Sequence, residues 1–191
     1  MQHFFAYISR LKLIRRWGLM RSTIAENTQE HSYQVAVVAH ALAVIKNTKF
    51  GGSVNADRIA VIALYHDASE VLTGDLPTPI KYANETIRAS YHQIEADAKE
   101  RLLGYLDGEL VDTYRGILSP ADSEETQLVH IADKICAYTK CLEEIIAGNA
   151  EFSQAKNTIE QQLTAYTDRP EVEYYLQNFV PSFTLTLDEM K

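Results

Sequence analysis

Between residues 65 and 77 the chain reads YHDASEVLTGDLP, which sets His66, Asp67, Glu70 and Asp75 within ten residues. The preceding run, RIAVIALY, is apolar and reads as buried, so these groups stand at the end of a core helix. Ionised side chains there are costly unless they are paired, hydrogen-bonded or bound to a metal. Two other residues could join them: His31, in the first turn of another helix, and Asp133, in HIADKICAY. Two imidazoles and two carboxylates, His31, His66, Asp67 and Asp133, make a borderline N/O donor set suited to Zn, Mn, Co, Ni or Fe(II). Such a set leaves positions open for water or phosphate, as a catalytic site requires. Singly, each signal is weak. His-Asp dipeptides are common, a histidine starting a helix is more often a surface residue, and Asp133 could pair with Lys134 or Lys140.

The elements that would have to position these groups are helical throughout. Nearly every segment carries the 3.6-residue apolar period and none alternates with period 2. MQHFFAYISRLKLIRRWGLM places Phe4, Phe5, Ile8, Leu11 and Ile14 at helical spacing and predicts a first helix. Asn27 with Glu30 forms a capping-box-like start to HSYQVAVVAHALAVIKN, stopped by Gly51 and Gly52. Asn55 caps ADRIAVIALYHD, and Pro77 and Pro79 force a loop through LTGDLPTPI. Asn84 opens ETIRASYHQIEADAKERLLGYL, followed by GELVDTYRGIL. Asp122 with Glu125 starts the long ETQLVHIADKICAYTKCLEEIIAG, and AEFSQAKNTIEQQLTAY and PEVEYYLQNFV close the set. With 191 residues, no repeat and no linker, residues 1–191 are expected to form a single all-α domain.

A formal net charge of −8 argues against a nucleic-acid polymer or an anionic membrane as partner. No apolar run is long enough to span a bilayer, and the N-terminus lacks the pattern of a targeting peptide. Cys136 and Cys141, five apart on one helix, fall on different faces where a disulfide cannot close. Reduced core thiols suit a cytoplasmic protein.

The sequence EHSYQVAVVAHAL, then YHDASEVLTGDLPTPIK, then ADKICAY resembles the HD-domain phosphohydrolases, with the ordered set His…His-Asp…Asp. The wider pattern, including HFFAYISRLKLIRRW, KFGGSVNADRIA, CLEEIIAGN and VPSF, is similar to the bacterial 5′-deoxynucleotidases of the YfbR type over essentially the whole chain. The resemblance implies an all-α, single-domain HD-type bundle in which His31, His66, Asp67 and Asp133 hold one divalent ion, such as Co²⁺ or Mn²⁺. The substrate it implies is a deoxyribonucleoside 5′-monophosphate, discriminated from ribonucleotides, and the assembly a homodimer. Arg16 would orient the phosphate, since a guanidinium fork matches two phosphate oxygens. Trp17 would pack against C2′ and leave no partner for an added hydroxyl.

Glu70, three residues beyond Asp67, is assigned the proton transfer between water and the leaving oxygen. Asp75 is placed on the sugar 3′-hydroxyl. TPIK (Thr78, Pro79, Ile80 and Lys81) supplies a stiff edge with a hydroxyl and an ammonium for phosphate or sugar, and His31 and Asp133 also border the substrate. His130, one turn before Asp133, is a candidate fifth ligand; His40 and His92 read as surface or core-edge residues. Two other readings stay open: another HD hydrolase acting on ppGpp or deoxynucleoside triphosphates, and a non-catalytic nucleotide sensor that keeps the metal.

Overall fold

The computed structural model describes residues 1–81 and 83–191. The helices are α1 (Phe4–Ile8), α2 (Thr28–Lys49), α3 (Ala56–Tyr65), α4 (Glu70–Thr73), α5 (Thr78–Lys81), α6 (Glu85–Leu103), α7 (Gly108–Leu118), α8 (Glu124–Ile146), α9 (Ser153–Leu163) and α10 (Pro170–Asn178). No β-strand occurs among the described residues, so the fold is the expected all-α bundle.

Local caps start the helices that matter. The Asn27 side chain accepts from the Glu30 amide at 3.0 Å while Glu30 returns to the Asn27 amide at 3.3 Å. Asn55 and Asn84 accept from the amides of Arg58 and Ile87 in the same way. The start of α8 lies one residue later than Asp122 and Glu125 suggest. Ser123 and Thr126 form the reciprocal box there, because a hydroxyl on each side bonds the other's amide.

Two apolar clusters result. Val35, Ala39, Leu42, Ile59, Ile62, Ile131 and Ile135 anchor the larger, built by α2, α3 and α8 with α10 against it. Phe4, Leu102, Leu103 and Leu118, with Ala68, form the smaller, under α1, α6 and α7. Each fully buried Leu, Ile or Phe contributes about 1.5–3 kcal/mol. Ile62 and Ala63 belong to one cluster and Ala68 to the other, so His66 and Asp67 fall where the chain crosses between them. The turns at this crossing are tight: the amides of His66, Ala68 and Glu70 bond three residues back, to Ala63, Tyr65 and Asp67.

The expected N-terminal helix does not run to residue 20. It ends at Ile8, tightens into a 3₁₀ segment over Ser9–Leu13, and then turns extended at Ile14. Of its apolar stripe Phe4 and Leu11 are buried, while Phe5 is exposed. Beyond Leu13 the backbone finds partners at the start of α2 instead. The Arg16 amide donates to the Glu26 carbonyl at 3.0 Å, and the Thr28 amide to the Ile14 carbonyl at 3.0 Å. This lays residues 14–27 as a loop over the N-terminus of α2. Further along, α5 gives the proline segment one helical turn; Pro79 sits in that first turn, where a missing N–H costs nothing. Cys136 and Cys141 are free and buried, and burial pushes both thiols up, the second to about 12.

Candidate active site

Three helices meet at one point. His31 stands in the first turn of α2, His66 caps the end of α3, and Asp133 lies midway along α8. Their ligand atoms all lie within 4.8 Å of one another. His31 Nε2 is 2.9 Å from Asp133 Oδ1. Asp67 closes the group, its Oδ2 lying 3.0 Å from His66 Nε2 and 3.8 Å from His31 Nε2. His31 is fully buried, which removes the surface reading of a histidine at a helix start.

The donor set fits a divalent cation. His66 Nδ1 can only donate to the Ala63 carbonyl, 2.8 Å away, which leaves Nε2 as its ligand atom. That Nε2 is buried without a hydrogen-bond partner and faces the other donors. Liganding distances of about 2.0–2.2 Å bring neighbouring donors to roughly 3 Å apart, as the closest pairs here are. Although burial opposes charging of His31, its bond to Asp133 and the Glu26 carboxylate 3.4 Å from Nδ1 lift its pKa to about 9, which reports an excess of negative charge. Burial likewise raises Asp67 and Asp133, but the two histidines outweigh it. They hold Asp67 well below the usual carboxylate range and Asp133 at about 2.

Around this centre stand the other expected groups. Arg16 is nearly buried, its Nη1 3.4 Å from Asp67 Oδ2. Burial disfavours its charge, but Asp67, Asp133, Glu26 and Asp75 together raise its pKa further. Glu70 is 7% exposed and accepts from the Thr28 hydroxyl at 2.9 Å. Burial first, then Asp67 and Asp75, push it up to about 8, so it holds and releases a proton near neutrality. Asp75 is half-buried and raised by burial, within the fields of Arg16, Asp67 and His31. Thr78, Pro79 and Ile80 are exposed on α5. Lys81 pairs with Glu95 on α6 at 2.8 Å and lies over the Tyr91 ring. His130 is exposed and outside the converging cluster; His40 and His92 also lie at the surface.

Trp17 sits beside Arg16 at φ +58°, the one non-glycine residue at positive φ among those described. Its indole N–H donates to Glu26 Oε2 at 2.7 Å, and its ring lies 5.3 Å from that of Phe152. The loop carrying both residues is fastened to the far end of α8. Glu144, 1% exposed, accepts from the Thr23 amide (2.8 Å) and hydroxyl (2.7 Å), the Ile24 amide (3.2 Å), Asn149 (2.8 Å) and Lys140 (2.5 Å). Lys140 also bonds the Ile24 carbonyl at 2.7 Å. Burial opposes charge on Glu144, yet Lys140 and the Thr23 donors hold its carboxyl far below the ordinary range.

Sequence reasoning missed Glu26, Thr28, Glu144 and Lys99. Glu26 carries no motif of its own, and Thr28 reads as an ordinary first helical residue. Lys99, half-buried on α6, is lowered by burial against the pull of Glu95 and Asp67.

A family model described as 5′-deoxynucleotidase YfbR-like matches residues 3–183. The chain belongs to this family. It is a hydrolase, and relatives along its whole length carry the 5′-deoxynucleotidase name. A 5′-deoxynucleotidase of Vibrio cholerae is 58% identical over 190 residues, covering 98% of this chain and 97% of its own. A Photorhabdus temperata 5′-deoxynucleotidase is 56% identical over 192 residues, covering 100% and 97%. Among solved structures, an HD-domain phosphohydrolase from Listeria innocua matches with a TM-score of 0.84 at 25% identity, covering 95% of this chain and 88% of that one. A cyanophage S-2L HD phosphohydrolase, bound to dA and one catalytic Zn²⁺ ion, shares the fold at a TM-score of 0.64 and 18% identity, with 92% and 95% covered.

Proposed function

We propose that the enzyme hydrolyses deoxyribonucleoside 5′-monophosphates to deoxynucleoside and phosphate and discriminates against ribonucleotides. One observation carries the reading: the His31–His66–Asp133 donor cluster stands beside Arg16, which pairs with Asp67, and a buried carboxyl poised near neutrality. His31, His66, Asp67 and Asp133 would hold a single divalent transition ion, Co²⁺ or Mn²⁺ in this reading. When bound, such an ion polarises a phosphoryl oxygen and lowers the pKa of water. Arg16 orients the phosphate with its planar fork, giving up its Nη1 link to Asp67. Glu70, held by Thr28, takes the proton of the attacking water. As the water oxygen bonds to phosphorus and the P–O5′ bond breaks, Glu70 passes that proton to O5′.

Asp75 accepts from the 3′-hydroxyl, Trp17 walls C2′, and Thr78, Pro79, Ile80 and Lys81 border the nucleotide. That a fold neighbour holds dA beside a catalytic Zn²⁺ ion supports a nucleoside next to the metal. An apolar face on α2 and α3, with Tyr33, Val37, Val44, Val61 and Leu64 exposed, supports a homodimer. No helix among the described residues is long and apolar enough to cross a membrane, and the buried free thiols agree with a cytoplasmic site.

Phosphate release from a panel of mono-, di- and triphosphates, with and without chelator, tests the reading. Deoxynucleoside monophosphates should be turned over only with metal present. Preference for ppGpp or triphosphates would replace the substrate class, and binding without turnover would make the protein a sensor. Trp17→Ala should then bring kcat/KM for AMP and dAMP closer, from a gap on the order of a hundredfold. Arg16→Ala should weaken both about equally, since it reads the shared phosphate.

A further inference from the structure

Glu26 touches three groups that the proposed reaction uses, although nothing in its sequence context singles it out. Its Oε2 accepts the Trp17 indole N–H at 2.7 Å and lies 3.8 Å from Arg16 Nε. Its Oε1 lies 3.4 Å from His31 Nδ1. Its carbonyl accepts the Arg16 amide at 3.0 Å. Both the backbone and the side chain of this one residue therefore organise the Arg16–Trp17 step of the loop.

We propose that Glu26 is a positioning residue that couples the deoxyribose wall to the metal site, holding Trp17 with one carboxylate oxygen and orienting the His31 imidazole with the other. The sugar half of this statement rests on the reading of Trp17 given above.

Two physical arguments carry it. Trp17 occupies the left-handed region at φ +58°, which a bulky residue leaves unless its surroundings hold it there. The contacts that hold its ring are the Glu26 bond and the Phe152 face. His31, for its part, is 0% exposed, so water cannot set its ring orientation. Asp133 meets Nε2 and Glu26 alone faces Nδ1 among the charged partners found for this ring. A carboxylate behind a ligating imidazole fixes its tautomer and typically changes metal affinity about 10–100-fold.

Trp17 is the sole tryptophan, so its fluorescence reports this contact without any turnover. Two variants of the full chain separate the two oxygens. Glu26→Ala should shift Trp17 emission to the red, raise acrylamide quenching and weaken Mn²⁺ binding by titration calorimetry about 10–100-fold. Its dAMP/AMP ratio of kcat/KM should contract. Glu26→Gln keeps an oxygen for the indole but offers His31 Nδ1 an uncharged partner. It should keep wild-type emission and sugar ratio while still losing Mn²⁺ affinity. That split is one that a merely structural glutamate would not produce. Unchanged emission and Mn²⁺ affinity in both variants overturn the proposal, as does equal loss of every property in both alongside a lowered melting temperature. If wild-type protein shows no deoxy preference while emission and Mn²⁺ affinity shift as stated, the sugar reading falls and the tether through Glu26 stands.

Discussion

The two halves of the site are built differently. The donors on the metal side come from α2, α8 and the end of α3, elements packed into the larger apolar cluster. Arg16 and Trp17 ride on a loop that owes its place to polar anchors: Glu26 at its exit and Glu144 beneath it. Helix positions are held by many small apolar contacts, so no single one decides them. The loop depends on two carboxylates, the half-buried Glu26 and the fully buried Glu144, and the second is strong because it is desolvated and multiply paired. A ligand set needs fixed geometry, whereas a substrate wall needs only to be in place when the nucleotide arrives. The difference predicts that the metal half fails chemically and the loop half fails mechanically.

The largest effect should come from Asp67→Ala. It removes a donor and one partner of Arg16, and should abolish both bound metal and phosphate release. Elemental analysis of folded protein beside an activity assay checks this; retained metal with full turnover would remove Asp67 from the ligand set. Next, Glu70→Ala should keep the metal and bind nucleotide while losing about a hundredfold or more in kcat. A raised KM with unchanged kcat would show Glu70 to be a binding group instead.

On the loop side the expected loss is of stability. Glu144→Ala strands the buried Lys140 and the Thr23 and Ile24 donors, and breaking such a buried pair costs about 3–5 kcal/mol. For a chain of this size that lowers the melting temperature by roughly 10 °C. Metal affinity should stay near that of the parent, which is the test of the two-halves contrast. The pH dependence follows from the sign of the shift. Because the folded protein holds the Glu144 carboxyl below its ordinary value, its contribution is complete above the unfolded pKa of about 4.3. It drains away as pH falls through and below that value. Urea midpoints of the parent should therefore drop more steeply from pH 6 to pH 3 than those of Glu144→Gln. Equal slopes would mean that Glu144 is not charged in its network.

How much was legible depended on the range of the forces involved. The Asn27, Asn55 and Asn84 caps could be read directly, because a cap is a contact between a side chain and an amide three residues away. The Asp122 start missed by one residue, since Asp122 and Ser123 are both good caps and only the geometry chose between them. His31, His66, Asp67 and Asp133 were legible as donor types, and through the family resemblance as a set. Their convergence was not, since His31 and Asp133 lie 102 residues apart. The N-terminal helix failed for the opposite reason: its local period was genuine, but the Glu26 and Thr28 backbone groups outcompeted helical bonds beyond Leu13.

Composition, periodicity and capping in the sequence by themselves determined an all-α chain, its long helices and the residue types of the donor cluster. Each of these follows from interactions within a turn or two of chain. Only the tertiary structure decided that His31 is fully buried, that Trp17 stands at positive φ against Glu26, and that Glu70 carries a pKa near 8. Burial and electric field are properties of everything packed around a group. Residues far apart in the chain set them, and no local pattern in the sequence records their distances.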